Sequence, residues 1–192
     1  MIWIVRHTDT EWSVSLRHTG RTDLPLSPAG RDEAGRLGAR LGREDFAAVI
    51  CSPLRRARET AELAGLVCTR EDADLEEWDY GDYEGRTTAE IRRDHPGWDM
   101  WRDGTPGGED AAAVGARVDR VLARLADTGG AATAPGGARP VVLVAHAHVL
   151  RVLTARWLGL PAADGALFAL EPGGIGRLGH ERERRVLCAW DS

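Results

Sequence analysis

Short, unbroken apolar runs mark three places in the chain, and each is followed at once by polar residues and then by a helical pattern. Residues 2–5 (IWIV) lead into Arg6 and His7. Residues 47–51 (AAVIC) lead into Ser52, Pro53 and a segment carrying Arg55 and Arg56. Residues 141–145 (VVLVA) lead into His146. Continuous apolar runs of this length suit strands buried on both faces, as in parallel sheets covered by helices.

The intervening helices are legible from the same pattern. Ser27 and Pro28 supply an N-cap and a first-turn proline, after which Ala34, Leu37 and Leu41 recur at helical spacing. A second helix is predicted over residues 53–64, with Ala57, Ala61 and Ala64 on one side. A third is predicted over 110–127, striped by Val114, Val118, Leu122 and Leu125, and a fourth follows His146, marked by Val149, Leu153 and Trp157. Residues 129–140 are rich in Gly, Ala and Pro and read as a flexible surface loop within one domain spanning residues 1–192. Residues 165–190 show short β-like runs separated by glycines. Strand alternating with helix predicts an α/β fold, a three-layer α/β/α sandwich around a mostly parallel central sheet.

In such sheets ligands bind beyond the carboxyl ends of the strands. The three strand ends carry Arg6 and His7, Arg55 or Arg56, and His146, so two imidazoles and two guanidiniums are expected to converge on one crevice. That is a phosphate site in outline.

Composition narrows the setting. With 25 basic and 30 acidic residues, the formal charge of −5 argues against a nucleic-acid-binding surface. Every basic residue is Arg, so positions say more than numbers. No apolar run has the roughly 18–20 residues that span a bilayer, and the chain opens on a strand-like run without the features of a secretory signal. Cys51, Cys68 and Cys188 are far apart and lack metal-ligand spacing; they read as reduced, buried thiols, and the cytoplasm is the default location. The His-x-His at 146 and 148 lacks further ligands at suitable spacing, so no metal is expected.

Several stretches resemble the histidine phosphatase superfamily, in its phosphoglycerate-mutase-like branch. They are IVRHTDTEW at 4–12, TGRTDLPLSPAG at 19–30, SPLRRARETA at 52–61, LEEWDYGDYEG at 75–85, Pro-Gly-Gly-Glu at 106–109 and VVLVAHAHVLR at 141–151. They occur in the family's order over nearly the whole chain. Thr8 and Ala147 depart from the pattern where the family usually has glycine, and Ser13 stands where asparagine is usual. Between Gly85 and Pro106 there is no counterpart of the long basic insertion with which mutases grip a carboxylate. The look is closest to acid phosphatases and sedoheptulose-bisphosphatase-like enzymes.

The resemblance implies a metal- and cofactor-independent phosphatase acting on a small phosphorylated metabolite, such as a sugar phosphate, through a phosphohistidine on His7. Arg6, Arg56 and His146 are then the phosphate-binding partners of His7, with Arg56 preferred over Arg55 by motif register. Glu77 is the implied general acid; spacing alone also admits Glu76, Asp79 and Glu84. Ser13, Thr19, Gly20 and Tyr80 are implied substrate-lining residues, and Trp12 is a candidate pocket wall. His18 and His148 stay open between pocket and structural roles. No nucleic-acid or membrane partner is expected, and a homodimer is compatible with the sequence. The alternatives are a cofactor-dependent phosphoglycerate mutase and a catalytically silent phospho-ligand-binding module.

Overall fold

The computed structural model describes residues 1–42, 44–127 and 139–191. Its centre is a six-stranded sheet of β1 (Ile2–Arg6), β2 (Ala48–Cys51), β3 (Arg70–Glu71), β4 (Val141–Ala145), β5 (Ile175–Glu181) and β6 (Arg184–Ala189), in the order β3-β2-β4-β1-β5-β6. The first four strands are mutually parallel, and β5 and β6 continue the sheet antiparallel at one edge. The sheet is mixed, and the parallel part carries the three apolar runs.

Alternation along the strands divides the core between two faces. On one face Trp3, Val5, Val49, Cys51, Val142 and Val144 pack with Leu37 and Leu41 of α2 (Pro28–Leu41) and Ala57 and Ala61 of α3 (Arg55–Leu63). On the other, Ile2, Ile4, Ile50 and Leu143 pack against Val114, Val118, Val121 and Leu125 of α6 (Ala111–Asp127) and Val149, Leu153 and Trp157 of α7 (Ala147–Trp157). The result is the three-layer sandwich of the α/β class. The Ser27 hydroxyl accepts from Gly30 N–H at the start of α2, with Pro28 in its first turn, as the sequence predicts.

Periodicity did not reveal the shortest elements: α1 (Glu11–Val14), α4 (Thr88–Asp94), α5 (Met100–Asp103) and β3. Each spans too few residues to set up a repeat, and caps define the helices instead. Thr10–Ser13 and Thr87–Glu90 close reciprocal capping boxes on α1 and α4. The β-like runs of 165–190 become a 3₁₀ turn, Ala162–Leu167, followed by the β5–β6 hairpin. The short link between β5 and β6 forces them antiparallel, because a parallel pair needs a long crossover. The predicted loop over 129–140 lies outside the described residues except at its last two positions. No described helix is long and apolar enough to cross a membrane.

The cysteines correct one expectation. All three are free, but only Cys51 is buried, whereas Cys68 and Cys188 are exposed. Cys68 lies just ahead of β3 and Cys188 on β6, the two edge strands of the sheet.

Candidate active site

Parallel register builds the floor of the site. Arg6 of β1 pairs with Ala145 of β4, and Cys51 of β2 pairs with Val144. The backbone N–H of His7 donates to Ala145 O at 2.9 Å, and that of Ser52 donates to Val144 O at 2.9 Å. Arg6, His7, Ser52 and His146 therefore leave their strands at one level, although they are far apart in the chain. The rings of His7 and His146 meet edge to face with centroids 5.1 Å apart and planes at 62°.

The two imidazoles are held differently. The Nδ1–H of His7 donates to Thr8 O at 2.7 Å, which fixes the tautomer and leaves Nε2 with its lone pair uncommitted. His146 Nδ1 accepts the Nε–H of Arg56 at 3.1 Å, so its proton sits on Nε2, 2.7 Å from Ser52 Oγ. Burial is the leading reason that both imidazoles have pKa values well below the ordinary 6.5. Arg56 and Arg6 push His7 further down, and Arg56, His7 and Arg6 do the same to His146. Both rings are neutral at pH 7.

Arg6 donates from Nη1 to Leu170 O at 2.5 Å, while its Nε–H is buried with no hydrogen-bond partner among the described residues. An unpaired buried donor costs free energy unless an acceptor arrives, so this edge of Arg6 is suited to an anion. Arg56, at the start of α3, is fully buried and differs from the expectation. Its Nη2 donates to Thr19 O (3.1 Å) and Gly20 O (2.8 Å), its Nη1 to Thr22 O (3.0 Å) and its Nε to His146. Instead of lying open to a ligand, the fork pins the 19–22 loop beneath the site. Arg55 is exposed and paired with Glu59.

Above this floor opens a cavity of about 840 Å³ lined by Arg6, His7, Ser13, Thr19, Glu77 and Tyr80, with His18 and His148 on its wall. Of the four acids that spacing admitted, Glu77 alone lines it. Glu84 clamps the amides of Gly20 and Thr22, and Asp79 pairs with Arg21. The Glu77 carboxylate receives three backbone N–H groups, from Trp78 and Val149 at 2.9 Å and from His148 at 3.0 Å. The last two belong to the first turn of α7, where the helix dipole favours an anion. Behind it, Arg117 of α6 donates to the carbonyls of Asp74, Glu76 and Glu77 and pairs with Glu109 of the Pro-Gly-Gly-Glu segment at 2.7 Å.

Ser13 closes the capping box of α1 and donates to Asp9 Oδ1 at 2.9 Å. Gly20 does not line the cavity: a Cβ there would sit 2.4 Å from Trp78 O, so the residue serves close packing under the loop. Trp12 is likewise absent from the wall, because its ring packs over Gly85. Thr8 is fully buried, its hydroxyl donating to Gly30 O and its backbone N–H to Thr60 Oγ1, while Ala147 lines the cavity.

Sequence reasoning gave no role to Ser52, Arg117 or Glu109 and left His18 and His148 undecided. The signal for Ser52 was present: it immediately follows a β-strand in the parallel register, as His7 and His146 do. Among the described residues, no cluster of three or more His, Cys, Asp or Glu is placed to hold a metal ion.

A family model described as the histidine phosphatase superfamily (branch 1) matches residues 2–192. The chain is 41% identical over 187 residues to an acid phosphatase of Mycobacterium tuberculosis, covering 96% of this chain and 89% of that one. It is 37% identical to the sedoheptulose 1,7-bisphosphatase of Saccharomyces cerevisiae, over 82% of this chain and 67% of that one. A solved complex of mycobacterial glucosyl-3-phosphoglycerate phosphatase with inorganic phosphate superposes with a TM-score of 0.83 at 34% identity, covering 100% of this chain and 96% of that one.

Proposed function

The chain belongs to the histidine phosphatase superfamily (branch 1) and is a phosphoric monoester hydrolase; from that starting point we propose that His7 Nε2 takes the phosphoryl group of a small sugar phosphate or similar metabolite and passes it to water. The observation that carries this reading is the uncommitted Nε2 of a neutral His7 whose other nitrogen is tied to Thr8 O. A covalent intermediate divides a very slow hydrolysis into two easier transfers.

In the first transfer Nε2 attacks phosphorus in line with the ester oxygen, and the Nδ1–H···O=C bond stabilises the positive charge that develops on the ring. Arg6 offers its free Nε–H to a phosphate oxygen, charge-assisted and preorganised. Arg56 and His146 act from beneath as a coupled pair. When a dianion is held above them, His146 Nδ1 gains a proton only by releasing the Arg56 Nε–H, and both groups then carry donors for phosphate oxygens. Glu77, at the cavity wall, gives a proton to the leaving alkoxide. In the second transfer it takes one from the attacking water. Ser13, Thr19 and Tyr80 line the space that receives the alcohol, and Gly20 lets the 19–22 loop pack close enough to form it. The free thiols support a reducing, cytoplasmic setting for one domain of 192 residues.

Rapid quench of the protein with p-nitrophenyl phosphate, followed by intact-mass analysis, tests this directly. An acid-labile phosphoryl adduct on His7, absent from His7→Ala, is the expected result. Turnover by His7→Ala at the native rate overturns the reading, and phosphoryl return to a phosphoglycerate in place of release would make the enzyme a mutase.

A further inference from the structure

Beneath the cavity floor, a buried thread of hydrogen bonds ends at the carbonyl that holds the nucleophile. Thr8 O accepts the Nδ1–H of His7, and the two other polar groups of Thr8 are themselves tied down. Its hydroxyl donates to Gly30 O at 2.8 Å, and its backbone N–H donates to Thr60 Oγ1 at 3.2 Å. The Thr60 hydroxyl donates in turn to Arg56 O at 2.7 Å. Each hydroxyl hydrogen is used once along this thread. Thr8 and Thr60 are both fully buried, and neither lines the cavity.

The far ends of the thread are rigid. Gly30 sits in the first turn of α2, where its N–H is bonded to the Ser27 cap, and Arg56 sits in the first turn of α3. The start of α2 approaches so closely that a Cβ on Gly30 would lie 2.1 Å from Asp9 O. That same Asp9 O accepts the Ser27 N–H at 2.8 Å. The Thr8–Asp9 peptide is therefore held on both sides, which sets the direction of the Thr8 carbonyl. The direction matters because a neutral imidazole has two tautomers, and only the Nδ1–H form offers a lone pair on Nε2. The carbonyl that selects this form also faces the positive charge that grows on the ring as the N–P bond forms. A glycine at position 8, usual in the family, would have no hydroxyl with which to be fixed in this way.

We propose that Thr8 is a positioning residue for the nucleophile: anchored by its hydroxyl on α2 and by its N–H on Thr60 of α3, it aims the carbonyl that keeps His7 in the attacking tautomer. This rests on the phosphatase reading for the role of His7, while the tautomer is measured without turnover.

Thr8→Val keeps the shape and removes the hydroxyl, whereas Thr8→Ser keeps the hydroxyl and removes the methyl group. In single-turnover rapid quench with p-nitrophenyl phosphate, Thr8→Val is expected to form the His7 adduct roughly three- to tenfold more slowly at saturation, the scale of one lost buried hydrogen bond. The half-saturating concentration should stay within about twofold of native, because Thr8 does not meet the substrate. Thr8→Ser should recover most of the rate. Nitrogen-15 NMR of the histidine rings without substrate reads the tautomer, with His7 assigned by the signal lost in His7→Ala. The native protein and Thr8→Ser should show a protonated Nδ1, and Thr8→Val a mixture of the two forms. Thr60→Val should act in the same direction. Combined with Thr8→Val it should be little slower than the slower single variant, since both cut one thread. Circular dichroism reports folding, and Thr60→Val carries the same readouts should Thr8→Val fold poorly. A native tautomer in Thr8→Val, or adduct formation at the native rate, makes Thr8 a packing residue and overturns the proposal. Absence of any His7 adduct in the native protein overturns the phosphohistidine reading instead, and a tautomer shift in Thr8→Val would still support the positioning role.

Discussion

The ends of β1 and β4 invite comparison, because neighbouring parallel strands deliver a histidine to the same level from each. His7 follows Arg6 and bonds back to the carbonyl of the next residue, so one nitrogen stays free. His146 caps α7 and has both nitrogens engaged, one by Arg56 and one by Ser52. Equal topology has produced unequal chemistry. The difference lies in what each ring meets, a backbone acceptor in one case and a guanidinium donor in the other, since the tautomer follows the partner. A histidine at a strand end becomes a nucleophile only when its neighbours leave it a lone pair.

The contrast between the two rings sets the order of expected effects. His7→Gln removes the lone pair altogether, and turnover should fall by roughly 10³-fold or more with no phosphoryl adduct formed. Quenched-flow mass analysis checks this, and an adduct on His146 in that variant would make the two rings interchangeable. Next comes Glu77→Gln, expected to slow hydrolysis of an alkyl phosphate by roughly 10²–10⁴-fold. The loss should be much smaller with p-nitrophenyl phosphate, whose leaving group needs little protonation. Equal losses for the two esters would move Glu77 from proton transfer to structure.

His146→Gln should keep the adduct while slowing its formation by roughly 10²–10³-fold, the usual effect of losing one preorganised donor. Ser52→Ala acts on the same ring more gently. It deletes one buried hydrogen bond, typically about 0.5–1.5 kcal/mol, so a two- to tenfold fall in kcat is expected. Single-turnover kinetics separate these cases, and a Ser52→Ala loss as large as that of His146→Gln would show that the hydroxyl itself meets the substrate.

The mildest effect concerns what the two rings share. His7, His18, His146 and His148 all have pKa values depressed by burial. Below about pH 6.5 the unfolded chain binds protons that the folded chain refuses, so stability is greatest above that pH and declines as pH falls. The share from His18 is fully lost near pH 4, its folded value. Thermal unfolding followed from pH 7.5 to 5 should show a falling Tm. A Tm that stays level across that range would mean these rings are not held neutral by the fold.

The parts of the site that were legible are those attached to long, regular elements. Arg6, His7 and His146 stand at the ends of short apolar runs that suit buried strands, and Ala57 and Ala61 place Arg56 on a helix start. Glu77 lies on irregular backbone between a 3₁₀ turn at Ala73–Leu75 and another at Gly81–Tyr83, where no period exists to assign a face; family register alone distinguished it from its acidic neighbours. Arg56 illustrates the opposite limit. Its position followed from pattern, but the filling of its fork by the carbonyls of the 19–22 loop depends on a contact spanning more than thirty residues of chain.

By itself, the sequence determined the α/β layering, the strand ends where chemistry collects, and the residue types gathered there, because burial enforces periodicity locally and every residue of a strand or helix reports on it. Only the tertiary structure decided which ring nitrogen of His7 is free, which acid reaches the cavity, and that His18, Tyr80 and His148 share one wall. Those outcomes depend on directional bonds a few ångströms long between segments remote in sequence, and no local pattern encodes them.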